Sequence, residues 1–106
     1  MYVMKRDGRR EVFDEEKIFH AVAKAFRATD TPNVEQWAKI ITDKVLRELK
    51  SSYGENEGFE IERIQDQVEE ALMETGNTAV ARAYIRYRFQ HEILRNQENA
   101  KNDSNK

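Results

Sequence analysis

Residues Tyr2 to Phe13, reading YVMKRDGRREVF, constrain this chain more than any other stretch. Asp7-Gly8 stands between two short β-prone runs, and an Asp-Gly pair supplies the positive φ angles that a two-residue type I′ turn needs. The chain is therefore expected to open on a tight β-hairpin. Lys5, Arg6, Arg9 and Arg10 flank the turn with only Asp7 against them, a local net charge of +3 beside exposed backbone amides. That is an anion site in outline, although basic residues next to a turn are more often simply solvated.

Helical periodicity governs most of the chain beyond Phe13. Phe13-Asp14-Glu15-Glu16-Lys17 reads as a helix start, with Asp14 placed to accept from the first free amides and two further acids favoured by the helix dipole. Ile18, Val22, Ala25 and Phe26 then repeat on one face. Lys17 lies in the first turn, where a cation gains nothing from the dipole, so it draws attention to an anionic partner as well as to an ordinary exposed role. Thr29 to Asn33, with the only proline, Pro32, breaks the chain before a second helix striped by Trp37, Ile40, Ile41, Val45 and Leu49. At this spacing Trp37 reads as core.

Ser51 to Gly58 reads as the longest loop. Phe59 and Ile61 alternate with Glu60 and Glu62, enough for one short strand that joins the hairpin in a three-stranded sheet. Ile64, Val68, Ala71 and Leu72 carry a third helix that stops at Gly76, a residue suited to the left-handed position after a helix end. Asn77 and Thr78 can cap a fourth helix running at least to Arg95, with Val80, Ala83, Tyr84 and Tyr87 on one face. The expected class is α+β: a four-helix bundle capped by a small N-terminal β-hairpin or three-stranded sheet. Residues 1–95 form this domain, and the Asn- and Lys-rich residues 96–106 read as a polar tail or linker.

Charge narrows the function. The 106 residues suit one domain with a modest core, and a net charge of −2 with 36% charged side chains argues against a general nucleic-acid binder. Charge is nevertheless uneven. From Glu48 to Glu74 nine acids face only Lys50 and Arg63, whereas in the fourth helix Arg82, Arg86, Arg88 and Arg95 face only Glu92. Two basic elements thus bracket an acidic middle. If the hairpin lies over the fourth helix, their cations converge on a small polyanion such as a nucleoside triphosphate, with Tyr87 beside it. The competing reading pairs those arginines with the acids of the third helix.

Other chemistries find no support in the residues. There is no cysteine, which removes disulfides, thiolate metal sites and cysteine nucleophiles. His20 and His91 are isolated, Glu69, Glu70 and Glu74 read as a solvated face, and no phosphate loop, zinc motif or hydrolase triad occurs, so catalysis within the chain is not expected. No apolar run approaches a membrane span or a signal-peptide core, and the expected location is cytoplasmic.

Three blocks in this order carry a family resemblance: VMKRDGRREVFDEEKI from Val3 to Ile18, IERIQDQVEEALMETG from Ile61 to Gly76, and ARAYIRYR from Ala81 to Arg88. Together they resemble the ATP-cone domain, and among such domains the N-terminal regulatory domain of anaerobic, class III ribonucleoside-triphosphate reductase. The resemblance implies an allosteric domain that binds ATP or dATP with Mg²⁺, controls a reductase's catalytic domain through nucleotide-dependent assembly, homo-oligomers included, and does no chemistry itself. It implies that Val3, Lys5 and Arg6 lie against the nucleotide, the cations on its phosphates. Glu11, Asp14 and Lys17 match further family positions, Lys17 as another phosphate cation. Ile61 and Gln65 match places that in relatives can carry polar, ligand-facing side chains, and Ile61 is apolar here. Arg86, Tyr87 and Arg88 match the fourth-helix motif. The rival from another class is a helical protein-interaction module that binds no nucleotide.

Overall fold

The computed structural model describes residues 2–4, 7–52 and 58–90. Strand β1, Tyr2–Met4, pairs antiparallel with β2, Arg10–Val12, and parallel with β3, Gly58–Phe59, so the sheet order is β2-β1-β3. Tyr2 stands opposite Val12 and Met4 opposite Arg10, which centres the hairpin on Asp7. The expected type I′ turn lies partly outside the described residues; within it Gly8 has a positive φ, +87°. The Asp7 carboxylate accepts from the Arg9 backbone amide at 3.0 Å and from Arg9 Nε at 2.6 Å, a local side-chain turn.

Helix α1, Glu16–Ala28, begins after Asp14 accepts from the Glu16 amide at 3.0 Å. It ends at a break in which Asp30 and Asn33 both take positive φ, conformations that short polar side chains tolerate best. Helix α2, Val34–Ser52, continues into the expected loop, while residues 53–57 lie outside the described ones. Helix α3, Ile61–Glu74, starts at once after β3. Ile61 and Glu62 are therefore helical, not strand as their alternation predicts, because an extended Glu60 already turns the chain. Gly76, at φ +81°, closes α3 as expected, and helix α4 occupies residues 78–90 with the rest of its expected length outside the described residues.

One core joins every element except β2, whose three residues are exposed. Val3 and Phe59 of the sheet belong to the same buried cluster as Val22 and Phe26 of α1, Ile41 and Leu49 of α2, Val68 and Leu72 of α3, and Val80 and Tyr84 of α4. Phe26 stacks on the half-buried Trp37 with ring centroids 5.9 Å apart. Each fully buried large apolar side chain contributes roughly 1.5–3 kcal/mol against leaving it in water. Ile40, expected in the α2 stripe, is 50% exposed. Ala38, Ile41, Val45 and Leu49 complete the buried stripe, and the adjacent Thr42 fits it by donating its hydroxyl to the Ala38 carbonyl at 2.7 Å. The architecture is a four-helix bundle capped by a small three-stranded sheet, an α+β fold. No described helix is long and apolar enough to cross a membrane.

Candidate functional site

Strand pleating sorts the hairpin's side chains. Val3 is opposed by Glu11 on one side and Phe59 on the other, so the three share the face that the core covers. Val3 and Phe59 are buried there, while Glu11, on the edge strand, remains exposed on that same side. Arg10 belongs to the opposite face, where its guanidinium lies 5.4 Å from the Tyr2 ring centre. Arg9 is held by Asp7. Two of the four hairpin cations are thus directed elsewhere by alternation and by a local ion pair. The other two, Lys5 and Arg6, lie outside the described residues.

Lys17, in the first turn of α1, is exposed, and Asp14 before it spends one carboxylate oxygen on the Glu16 amide. Ala21 and Lys24 lie on the same face at helical spacing. The Lys24 ammonium sits 4.1 Å from the Tyr87 ring centre, a cation–π contact that joins α1 to α4. Around it Ala25 and Ala28 of α1 with Ala83, Arg86 and Gln90 of α4 line a cleft of about 210 Å³. Arg86 and Tyr87 are therefore brought to Lys24, two turns or about 10 Å along the axis from Lys17. Lys24 is not among the residues the sequence singles out, and its spacing of seven from Lys17 is the signal that could have revealed it.

Arg88 turns to the other neighbour. Its Nη1 donates to Glu69 Oε1 at 2.7 Å and to Asp66 Oδ1 at 3.0 Å. Burial works against the guanidinium charge, but the bonds to Glu69 and Asp66 outweigh it and hold the group above its ordinary value. Of the two open readings for the fourth-helix arginines, Arg88 follows the one that pairs it with the third helix. Glu69, expected on a solvated face, is half-buried by that pairing. Tyr84, one turn before Arg88, is buried, and burial pushes its hydroxyl up to about 12. Gln65 is half-buried one turn before Glu69, and Ile61 lies one turn earlier still, so the expected wall of α3 leads straight to the Arg88 bonds.

The candidate residues thus fall into groups around one core. Val3 and Glu11 share the sheet's inner side, Asp14 and Lys17 open α1, Gln65 and Arg88 lie along the α3–α4 seam, and Arg86 and Tyr87 lie between α1 and α4. Ile18, Ile64 and Tyr84, close neighbours of these groups, belong with Val3 to the continuous core. A larger groove of about 430 Å³ between α1 and α2 includes Phe19, Thr42, Leu46 and Lys39. Glu15 and Glu16 on its rim make it a poor host for a polyanion.

Known proteins resemble this chain over most of its length. The chain is 37% identical over 101 residues to the ribonucleoside-diphosphate reductase subunit alpha of Chlamydia pneumoniae, covering 88% of this chain and 10% of that one. It is 36% identical over 94 residues to the anaerobic ribonucleoside-triphosphate reductase of Haemophilus influenzae and 35% identical over 94 residues to that of Escherichia coli, covering 88% and 89% of this chain. The shares of those two reductases are 13% and 12%, so the chain spans about a tenth of the length of the relatives it matches. The profile of the ATP cone domain matches residues 1–93. With that match spanning both the sheet and the four helices, the chain belongs to the ATP-cone domain family.

Proposed function

We propose that this domain is a non-catalytic, cytoplasmic regulatory module that binds ATP or dATP and controls the catalytic domain of a ribonucleotide reductase. The observation that carries the reading is the meeting of cationic side chains from two elements, Lys24 of α1 and Arg86 of α4, in one cleft beside the Tyr87 ring. Lys5, Arg6 and Lys17 hold the phosphates, charge-assisted contacts being the strong ones. The backbone near Val3 and the side chains of Glu11, Asp14 and Gln65 surround the nucleoside, with Arg86, Tyr87 and Arg88 closing the site from α4. Among the described residues no group of three or more histidine, aspartate or glutamate side chains could hold a metal ion. Mg²⁺ would accordingly be held mainly by phosphate and water oxygens, as is usual for bound triphosphates.

ATP and dATP differ by one ribose hydroxyl, and one hydrogen bond is worth roughly 0.5–1.5 kcal/mol net. A regulatory response larger than that must come from assembly, with the two bound forms differing in free energy for association between copies or with the catalytic domain. Residues 1–95 act as the binding unit, and 96–106 as the tail or linker.

Calorimetric titration of the chain with ATP and dATP is the direct test, and saturation below millimolar ligand is expected. Absence of saturation would leave the protein-interaction module as the better account. Lys5→Ala with Arg6→Ala is expected to weaken binding roughly tenfold or more, since two charge-assisted contacts are lost. The same variant should leave the far-ultraviolet circular dichroism and Tm nearly unchanged, and retained binding would remove the hairpin from the phosphates.

A further inference from the structure

Arg88 is held in an unusual way for an arginine between two carboxylates. Both bonds leave from the single nitrogen Nη1, one to Asp66 and one to Glu69, although a guanidinium has five N–H donors and pairs most strongly through two of them in parallel. The Arg88 and Glu69 side chains are each 22% exposed, whereas Asp66 is 61% exposed. One arm of the contact is therefore sheltered and the other open to solvent and salt. The result fixes the direction of Arg88 without using its full binding capacity.

Location matters as much as geometry. Glu69 lies one helical turn, about 5.4 Å, beyond Gln65 on α3, and Arg88 lies one residue beyond Tyr87 on α4. Asp66 and Glu69 thus hold a cation at the edge of the proposed nucleotide site. From this we infer that the two acids compete with the nucleotide's phosphates for Arg88. A triphosphate draws the guanidinium off α3, leaving Asp66 and Glu69 as a newly unbalanced acidic pair on that helix. The inference rests on the nucleotide-binding reading and names its coupling element, because ligand charge is converted into a change in the bonds that join α3 to α4. Two arrangements of one side chain, each favoured by a different partner, are what a switch requires.

A mutant cycle on the full chain tests this, with ATP binding measured by calorimetry. Asp66→Asn with Glu69→Gln is expected to tighten ATP about fivefold, the size of one partly exposed ion pair. Arg88→Ala should weaken binding. In the Arg88→Ala background the same neutralisation should change the Kd by less than about twofold, because the competitor then has nothing to withhold. Equal tightening in both backgrounds would mean simple charge repulsion and would overturn the inference, as would no tightening in the native background. Arg88→Gln serves in place of the alanine if that variant does not fold. A native chain that gives no saturation with ATP overturns the nucleotide reading and this inference together. Saturable binding with no dependence on Arg88 overturns this inference alone.

Discussion

Tyr84 shows how burial sets the ionisation of one group. Its hydroxyl is driven from 10 to about 12 chiefly by loss of solvent, with Arg88 opposing that shift and Glu69 and Tyr87 adding to it. A phenol whose folded value is raised contributes stability that is complete below 10 and is lost as the pH climbs through about 12. An absorbance titration of phenolate should accordingly show a late-ionising step, and Tyr84→Phe should delete it. Gly76 presents a conformational version of the same individuality. At φ +81° it has open space where a Cβ would stand, so Gly76→Ala is opposed by backbone strain alone and should cost about 1 kcal/mol in a denaturant melt. That position is legible in the sequence, because only backbone freedom is at stake. Arg9 is not legible in the same way. Its charge is plain, but its capture by Asp7 depends on a local turn that composition does not specify.

The helices are more completely legible than the strands for a physical reason. Every residue expected on the buried faces of α1 and α3 is buried, since a repeat near 3.6 extends over many positions and averages out single exceptions. Strands of two or three residues give no such average, and alternation carries the expected third strand on to Ile61 although the helix has already begun there. Contacts between helices are the least legible, because they depend on which faces meet. Lys44 of α2 reaches Glu74 at the end of α3 at 2.9 Å, and its hydrogen bond lowers the carboxyl below the ordinary 4.5. Linkage gives the sign: the pair contributes fully above 4.5 and its contribution disappears as the pH falls through the lowered value. Lys44→Met should lower Tm slightly near neutrality, and the difference should shrink as the pH falls through the lowered value and the carboxylate takes up its proton.

Taken together, the elements bury one core in which sheet and bundle cannot be separated. Leu72 is fully buried at its centre, and Leu72→Ala should destabilise the chain by about 2–5 kcal/mol through lost transfer energy and the space left behind. If the domain binds triphosphate as proposed, saturating ATP should recover part of the Tm lost in that variant, because a ligand that binds only the folded form stabilises it by mass action. Differential scanning fluorimetry with and without ATP reads both effects. The site is less legible than the fold, since the positions of Lys17, Gln65 and Arg88 can be matched in sequence while their directions cannot. Which acids hold Arg88 emerges only when α3 and α4 are seen against each other.

β1 is the middle strand, flanked by a neighbour a few residues away and another more than fifty residues on. Residues 2–4, made before Phe59, consequently wait for it before their second ladder can close, after α1 and α2 are able to fold upon each other. Trimming four residues from the amino end would dissolve both ladders in a single stroke. Removing β3 would spare the hairpin.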